Sequence, residues 1–172
     1  LSLFLGPDKT IYAAQCSVLS RSTDGGKTWT HLRREAKSSQ VPENHFMQIR
    51  VLPNGAWLQG RGGVPGEITF QVSKDEGHSW QKRSRIGKDL NTRDVRLGSL
   101  EVLNDGSVIV AVTAVYSRDK KWTDVRSLLY RSDDGGRTFS RPTTIGNWGH
   151  EINIAQLPSG RLFAAIRYQR PR

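Results

Sequence analysis

The sequence predicts an all-β protein made of repeated four-stranded units. An eight-residue motif occurs three times, as "STDGGKTW" at 22–29, "SKDEGHSW" at 73–80 and "SDDGGRTF" at 132–139. A second element, an apolar run interrupted by a glycine turn, also recurs, as "VLPNGAWLQ", "VLNDGSVIV" and "QLPSGRLFA". Segments such as "RSLLYRS" alternate polar and apolar residues, and no window shows helical periodicity. Repetition at such a period is typical of arrays of similar sheets.

The eight-residue motif is suited to a tight turn between two antiparallel strands. Its aspartate can accept hydrogen bonds from backbone N–H groups of the same turn, and its glycines can adopt positive φ. We expect the closing aromatic residue to insert between strands, at Trp29, Trp80 and Phe139. A calcium loop is excluded because the three copies share one aspartate, whereas Ca²⁺ needs about six to eight oxygen ligands.

The composition favours an anionic partner. Lysine and arginine number 26 against 16 acidic residues, which gives a net charge of +10. Nucleic acid, a polyanionic glycan or a small acidic substrate would satisfy this charge, but the basic residues are scattered, which argues against nucleic acid. One cysteine, Cys16, excludes an internal disulfide. No apolar run is long enough to span a membrane, and a start at Leu1 in mid-pattern indicates a shortened N-terminus.

The three motifs resemble the Asp-box repeats of the sialidase superfamily, whose fold is a six-bladed β-propeller. The resemblance covers nearly the whole chain and implies blades at about 1–36, 45–86 and 95–146, with the next blade beginning at 150–172. About three and a half blades cannot close a propeller. We therefore expect the chain to be a fragment that is inactive alone.

In a four-stranded meander, the Asp-box turns and the glycine hairpins lie at one end of every sheet. The opposite end carries the starts of first strands and the ends of second strands. Aligning the repeats on their hairpin glycines places Arg96, His150, Glu151 and Arg167 at this rim, with Trp148 in the connection just before it. The sequence therefore predicts one group of charged side chains at the end remote from the Asp boxes.

The segment "HEINIAQLPSGRLFAAIRY" resembles the part of sialidases that follows the third Asp box, with a glutamate, a glycine turn and then an arginine. The resemblance implies that Glu151 polarises a tyrosine nucleophile and that Arg167 belongs to an arginine trio around the substrate carboxylate. The residue types fit, because guanidinium groups bind carboxylates bidentately and tyrosine needs a base to attack. The alternative is that Glu151 and Arg167 form only a cross-strand ion pair.

Other members of such a site are not assigned by the sequence. All four tyrosines fall in predicted strands or at their ends, and a third arginine would follow Arg172. Arg96 also fits the first arginine of the family, with Asp119 or Asp124 as its acid, but that register conflicts with the one that gives Glu151 its role. Arg96 and Asp124 are therefore predicted as rim residues that contact substrate.

Two further patterns are excluded, and the sequence predicts neither a metal nor a cofactor. "GRGGVPG" at 60–66 precedes the strand-like "EITFQV", so no helix N-terminus is available for phosphate. The four histidines show no metal-ligand spacing.

The resemblance implies a retaining exo-glycosidase that removes terminal sialic acid or a related acidic sugar from a secreted or periplasmic location. Its partner would be an acidic glycan, with no nucleic acid and no membrane span. The alternative is a non-catalytic Asp-box propeller that binds glycan or protein. The two differ in whether a buried tyrosine and a further arginine complete the rim.

Overall fold

The computed structural model describes residues 2–6, 8–15, 18–34, 47–117 and 124–168. Cys16 and Asp119, which entered the expectations above, lie outside these ranges. Within them the chain forms three four-stranded sheets and one two-stranded sheet, all antiparallel. Within each sheet, every strand pairs with the next strand along the chain, which confirms the predicted all-β architecture.

The first two sheets each have four strands in sequential order. The first sheet contains β1 Ser2–Leu5, β2 Ile11–Gln15, β3 Val18–Ser22 and β4 Thr30–Arg34. The second contains β5 Met47–Val51, β6 Trp57–Val64, β7 Glu67–Ser73 and β8 Gln81–Ile86. Because β7 follows "GRGGVPG" directly, the strand predicted for "EITFQV" is confirmed.

The third sheet is followed by the two-stranded sheet that carries the C-terminal part of the described chain. The third sheet contains β9 Asp94–Val102, β10 Val108–Val115, β11 Val125–Ser132 and β12 Thr143–Asn147. The last sheet pairs β13 Gly149–Gln156 with β14 Leu162–Tyr168. A three-residue 3-10 turn, Lys88–Leu90, is the sole helical segment in the described ranges, so none of their helices could cross a membrane.

Each Asp box is closed by hydrogen bonds within its own eight residues. In the first, Asp24 Oδ1 accepts from Ser22 Oγ (2.7 Å) and from the backbone N–H of Thr28 (2.9 Å). Hydrogen bonds from the Thr28 hydroxyl and N–H and from Ser22 lower the pKa of Asp24 to about 2. The same bonds form around Asp75 and Asp134. The turn is therefore held by side chains that need no other part of the protein.

The closing aromatic residues of the second and third boxes pack against other rings. Phe139 lies 4.7 Å from Phe70 of the second sheet, between ring centroids, and Trp80 packs against the cluster around Trp57. Trp29 of the first box differs from the prediction, because it stays 40% exposed. The reason is positional: no sheet precedes the first one in the described chain, so Trp29 has no such partner there.

The sheets pack face to face, and three apolar clusters join neighbouring sheets. The first cluster centres on Trp57, which meets the rings of Phe4 and Tyr12 edge-on at 5.1 and 4.7 Å. The second joins the second and third sheets and contains the fully buried strand β10. In the third, Ile152 and Ile154 of β13 pack on the third sheet. Each sheet after the first thus buries one face against its predecessor.

The first strands of successive sheets, β1, β5, β9 and β13, are neighbours and are bonded to one another. Arg50 of β5 donates to Glu101 of β9 through Nε (2.9 Å) and Nη2 (2.6 Å), and its Nη1 also donates to Ser2 Oγ. Gln48 bonds to the backbone of β9 at both Gly98 and Leu100. Polar side chains therefore fix the spacing of the strands nearest the axis.

Candidate functional site

The predicted site residues lie at the end of the sheets opposite the Asp boxes. Arg96 lies near the start of β9, His150 and Glu151 near the start of β13, and Arg167 near the end of β14. The strand directions require this placement, since β9 and β13 run away from the rim and β14 returns to it. Four of the six predicted residues thus come from three strands that meet at one rim.

A β-bulge determines how Glu151 meets Arg167. Gly149 pairs with Tyr168 and Ile152 pairs with Ile166, so two residues of β13, His150 and Glu151, stand opposite Arg167 alone. A bulge of this kind re-aims side chains and is frequent beside functional sites. Arg167 Nη1 donates to Glu151 Oε1 at 2.9 Å, and the two side chains are 58% and 71% exposed.

The start of β13 approaches its neighbours so closely that only glycine fits there. A Cβ atom on Gly149 would overlap both Ser127 Oγ of β11 and Ile166 Cγ2 of β14. This close contact positions the bulge that follows, because His150 is the next residue. Sequence reasoning gave Gly149 no role.

A hydrogen bond from the third sheet holds His150 beside two arginines. Thr113, which pairs with Arg96 across β9 and β10, donates its Oγ1 hydrogen to the His150 carbonyl at 2.6 Å. Burial, together with the positive charges of Arg167 and Arg96, lowers the pKa of the His150 imidazole. This shift favours the neutral imidazole, so the two arginines supply the positive charge beside it.

Comparisons with known proteins identify the repeat and a distant relative. A family profile described as "BNR/Asp-box repeat" matches residues 20–31, which contain the first of the three motifs. A curated sialidase from Clostridium perfringens is 24% identical over 191 aligned positions, covering 95% of this chain and 49% of the relative. The chain therefore spans about half the length of that relative.

Solved β-propeller glycosidases have the same fold. The structure of "Hadza microbial sialidase Hz136" superposes with a TM-score of 0.68 at 19% identity, over 97% of this chain and 41% of the other. An α-L-arabinanase from Penicillium chrysogenum gives a TM-score of 0.68 at 14% identity, over 96% and 56%. The chain has the Asp-box β-propeller fold. The three sheets and the two-stranded sheet are three blades and half of another.

Two predicted residues of this propeller, Asp124 and Trp148, do not join the group around His150. They line a separate cavity on the same rim, between β11, β12 and the connection that leads into β13. Asp124 forms an ion pair with Arg126, 3.2 Å between Oδ1 and Nε. Sequence alignment of the repeats placed these residues at the correct end of the blade, but it carried no information on their distance from the propeller axis.

Sequence reasoning missed the second members of two ion pairs. Arg96 Nε donates to Asp94 Oδ2 at 2.8 Å, in the same way that Arg126 donates to Asp124. The signal was present, because the tripeptide "DVR" occurs at 94–96 and again at 124–126, each time at the start of a strand. The central valine of each is buried, so the flanking charges share the opposite face.

The tyrosines of the propeller differ in their burial. Burial is the main cause that raises the pKa of Tyr12, Tyr116 and Tyr130. Tyr168 ends β14 beside Arg167 and is 58% exposed.

Among the described residues, no group of three histidine, cysteine, aspartate or glutamate side chains could hold a metal ion.

Proposed function

We propose that the full-length protein is a retaining exo-glycosidase of the sialidase type, which removes a terminal sialic acid or a related acidic sugar from a glycan. The observation that carries this proposal is the rim group: two arginines close enough to His150 to lower its pKa, next to the exposed carboxylate of Glu151. The curated relative is a sialidase, which supports the same assignment.

Arg167 and Arg96 would bind the carboxylate of the substrate. A guanidinium has five N–H donors in a planar fork, and the bond to Glu151 uses one donor of Arg167. The remaining donors can bind a carboxylate bidentately. An exposed ion pair contributes at most about 1 kcal/mol to stability, so the Glu151–Arg167 pair is not needed to hold the hairpin together.

Glu151 would act on a tyrosine nucleophile. In the proposed first step, the carboxylate polarises the phenol and accepts its proton while the phenolic oxygen attacks the anomeric carbon and the aglycone leaves. Water then hydrolyses the glycosyl-tyrosine intermediate, which restores the tyrosine and retains the anomeric configuration. The raised pKa values of Tyr12, Tyr116 and Tyr130 argue against those three as the nucleophile.

The same observation favours a second candidate, a non-catalytic propeller that binds an acidic glycan or a protein at its rim. It requires the arginines but no nucleophile. Under either proposal the location is secreted or periplasmic, in keeping with the sialidase resemblance.

Kinetics of the full-length protein distinguish the candidates. With an aryl sialoside as substrate, Arg167→Lys should keep the charge, lose the fork and raise KM about tenfold or more, with less effect on the methyl ester of the same sialoside. Glu151→Gln should lower kcat. Arg161→Lys is the matched control, since Arg161 lies on the same hairpin at the opposite end. Unchanged KM and kcat in Arg167→Lys would contradict the proposal that Arg167 binds the substrate carboxylate. Binding without turnover in the wild type would favour the second candidate.

A further inference from the structure

A cavity of about 260 Å³ lies on the rim outside the His150 group. It is formed where β11 begins, β12 ends and the chain enters β13, and it is lined by Asp124, Val125, Arg126, Thr144, Asn147 and Trp148. Four of these residues carry polar side chains and one carries an indole. Pockets that combine an aromatic surface with a few convergent polar groups are typical of small-molecule sites.

The charged pair in this cavity is held in a fixed position. The Arg126 guanidinium donates to both carboxylate oxygens of Asp124, at 3.2 and 3.3 Å, and lies over the ring of Tyr116 with its Cζ 4.6 Å from the centroid. The side chains of both remain nearly half exposed. A carboxylate accepts hydrogen bonds and a guanidinium donates them, so the pair offers complementary partners to two adjacent hydroxyl groups.

Trp148 has an unusual backbone. Its φ is +64°, a region that bulky residues rarely adopt and that costs about 1–3 kcal/mol. Its N–H donates to the Val125 carbonyl at 2.7 Å, which fixes the connection against β11. Such strain persists where the surrounding structure imposes it, and it is concentrated at ligand sites. Here it holds a half-buried tryptophan at the wall of the cavity.

We propose that this cavity binds a neutral pyranose unit of the glycan substrate, next to the acidic sugar at the His150 group. Because the charges of Asp124 and Arg126 cancel, the cavity does not select an anion, in contrast to the arginine-rich group beside it. An indole face suits the C–H face of a pyranose, and the charged pair suits its hydroxyls. This inference rests on the proposed function for the identity of the adjacent sugar.

The two sites are close enough for neighbouring sugars of one short glycan. Trp148 and Glu151 are three residues apart, so their Cα atoms can be separated by at most about 11 Å. The connection through Gly149 and His150 is common to both sites. The cavity therefore extends the rim site outward along the blade and would determine which sugar precedes the terminal one.

Binding of simple sugars tests the cavity without any need for catalysis. Full-length protein labelled with ¹⁵N is titrated with methyl β-D-galactopyranoside and methyl β-D-glucopyranoside, and the indole resonance of Trp148 and the Nε resonance of Arg126 are followed. We expect saturable shifts of these resonances with at least one of the two glycosides. Trp148→Ala should weaken binding about tenfold, whereas Trp148→Phe should retain most of it. Trp29→Ala is the control, since Trp29 lies in an Asp box at the other end.

The comparison is valid only if Trp148→Ala is folded. Indole resonances of its other tryptophans at the wild-type positions would establish this. No saturable shift with either glycoside, or equal affinity in Trp148→Ala and the wild type, would overturn the proposal. Asp124→Asn provides a second test if Trp148→Ala does not fold, because it removes the charge from the pair while keeping its size. Equal affinity there for the glycoside that binds the wild type would also overturn it.

Kinetics then relate the cavity to the rim site. The ratio of kcat/KM for an acidic sugar linked to a neutral hexose over kcat/KM for the aryl glycoside should fall about tenfold in Trp148→Ala and stay unchanged in Trp29→Ala. An unchanged ratio would overturn the link. If no glycoside is hydrolysed, the proposed function fails while the binding experiment still decides whether the cavity is a sugar site.

Discussion

The contact between Gly149 and Ser127 provides a quantitative test of how the rim is built. Ser127 is fully buried, and its Oγ has no hydrogen-bond partner among the described residues. A buried hydroxyl without a partner costs about 1–3 kcal/mol. Ser127→Ala should therefore raise the free energy of unfolding by about 1 kcal/mol or more, even though it removes a polar group from a well-packed strand.

Gly149→Ala should have the opposite effect. Its Cβ would overlap Ser127 Oγ and Ile166 Cγ2, and overpacking of this kind costs about 1–3 kcal/mol. In the double variant one of the two overlaps is gone, so the alanine at 149 should cost less than it does alone, by about 1 kcal/mol. Gly62→Ala is the control, because its Cβ would lie 3.6 Å from Ile68 Cδ1, an ordinary contact.

Urea unfolding followed by tryptophan fluorescence measures the wild type and all four variants, and equal m-values show that the same transition is compared. The reasoning fails if the two substitutions are additive to within about 0.5 kcal/mol, since independent sites behave in that way. It also fails if Ser127→Ala destabilises, which would show that its hydroxyl has a partner after all.

Three other predictions follow from the described contacts. Glu76 has φ +54° where the other Asp boxes have glycine, so Glu76→Gly should stabilise by up to about 1 kcal/mol in urea unfolding; a net loss would contradict this. The NMR titration midpoint of His150 should lie below 6.5, so the stability that depends on its neutral form is lost as the pH falls from about 6.5 through that midpoint. Arg167→Gln should raise the midpoint, because it removes a positive charge near the imidazole. An unchanged midpoint would show that Arg167 does not act on His150. Glu101→Ala should destabilise by about 1–3 kcal/mol because it leaves Arg50 half-buried without its carboxylate, whereas a change within 0.5 kcal/mol would show a purely superficial pair.

Local chemistry made the fold predictable from the sequence. The Asp boxes and the glycine hairpins each determine a tight turn from a few adjacent residues, and two such turns per repeat fix the order and direction of the strands. The prediction of Trp29 failed for a different reason. Its burial depends on a neighbouring sheet rather than on its own turn, and the same motif behaves differently where that sheet is absent from the described chain.

The candidate site was predictable only in part. Strand order placed His150, Glu151 and Arg167 at one end, because a residue's distance from the hairpin glycine determines its height in the sheet. The bulge that sets both residues of β13 against Arg167 has no sequence signal of its own, and it directly follows the close contact of Gly149 with β11, which is a tertiary feature. The group around His150 and the cavity beside Trp148 differ in their distance from the propeller axis. The spacing of repeats along the sequence gives the height of a residue in its sheet but not this distance.

The self-contained bonding of the Asp boxes also bears on how the chain folds. The repeats are similar enough that a strand of one blade could pair with the corresponding strand of another. Since the hydrogen bonds of the Asp24, Asp75 and Asp134 carboxylates within the described ranges span at most four residues, these turns can form before distant parts of the chain meet. Each would fix the pairing of its two strands in advance. We therefore expect the boxes to favour pairing of strands within a blade over exchange of strands between blades.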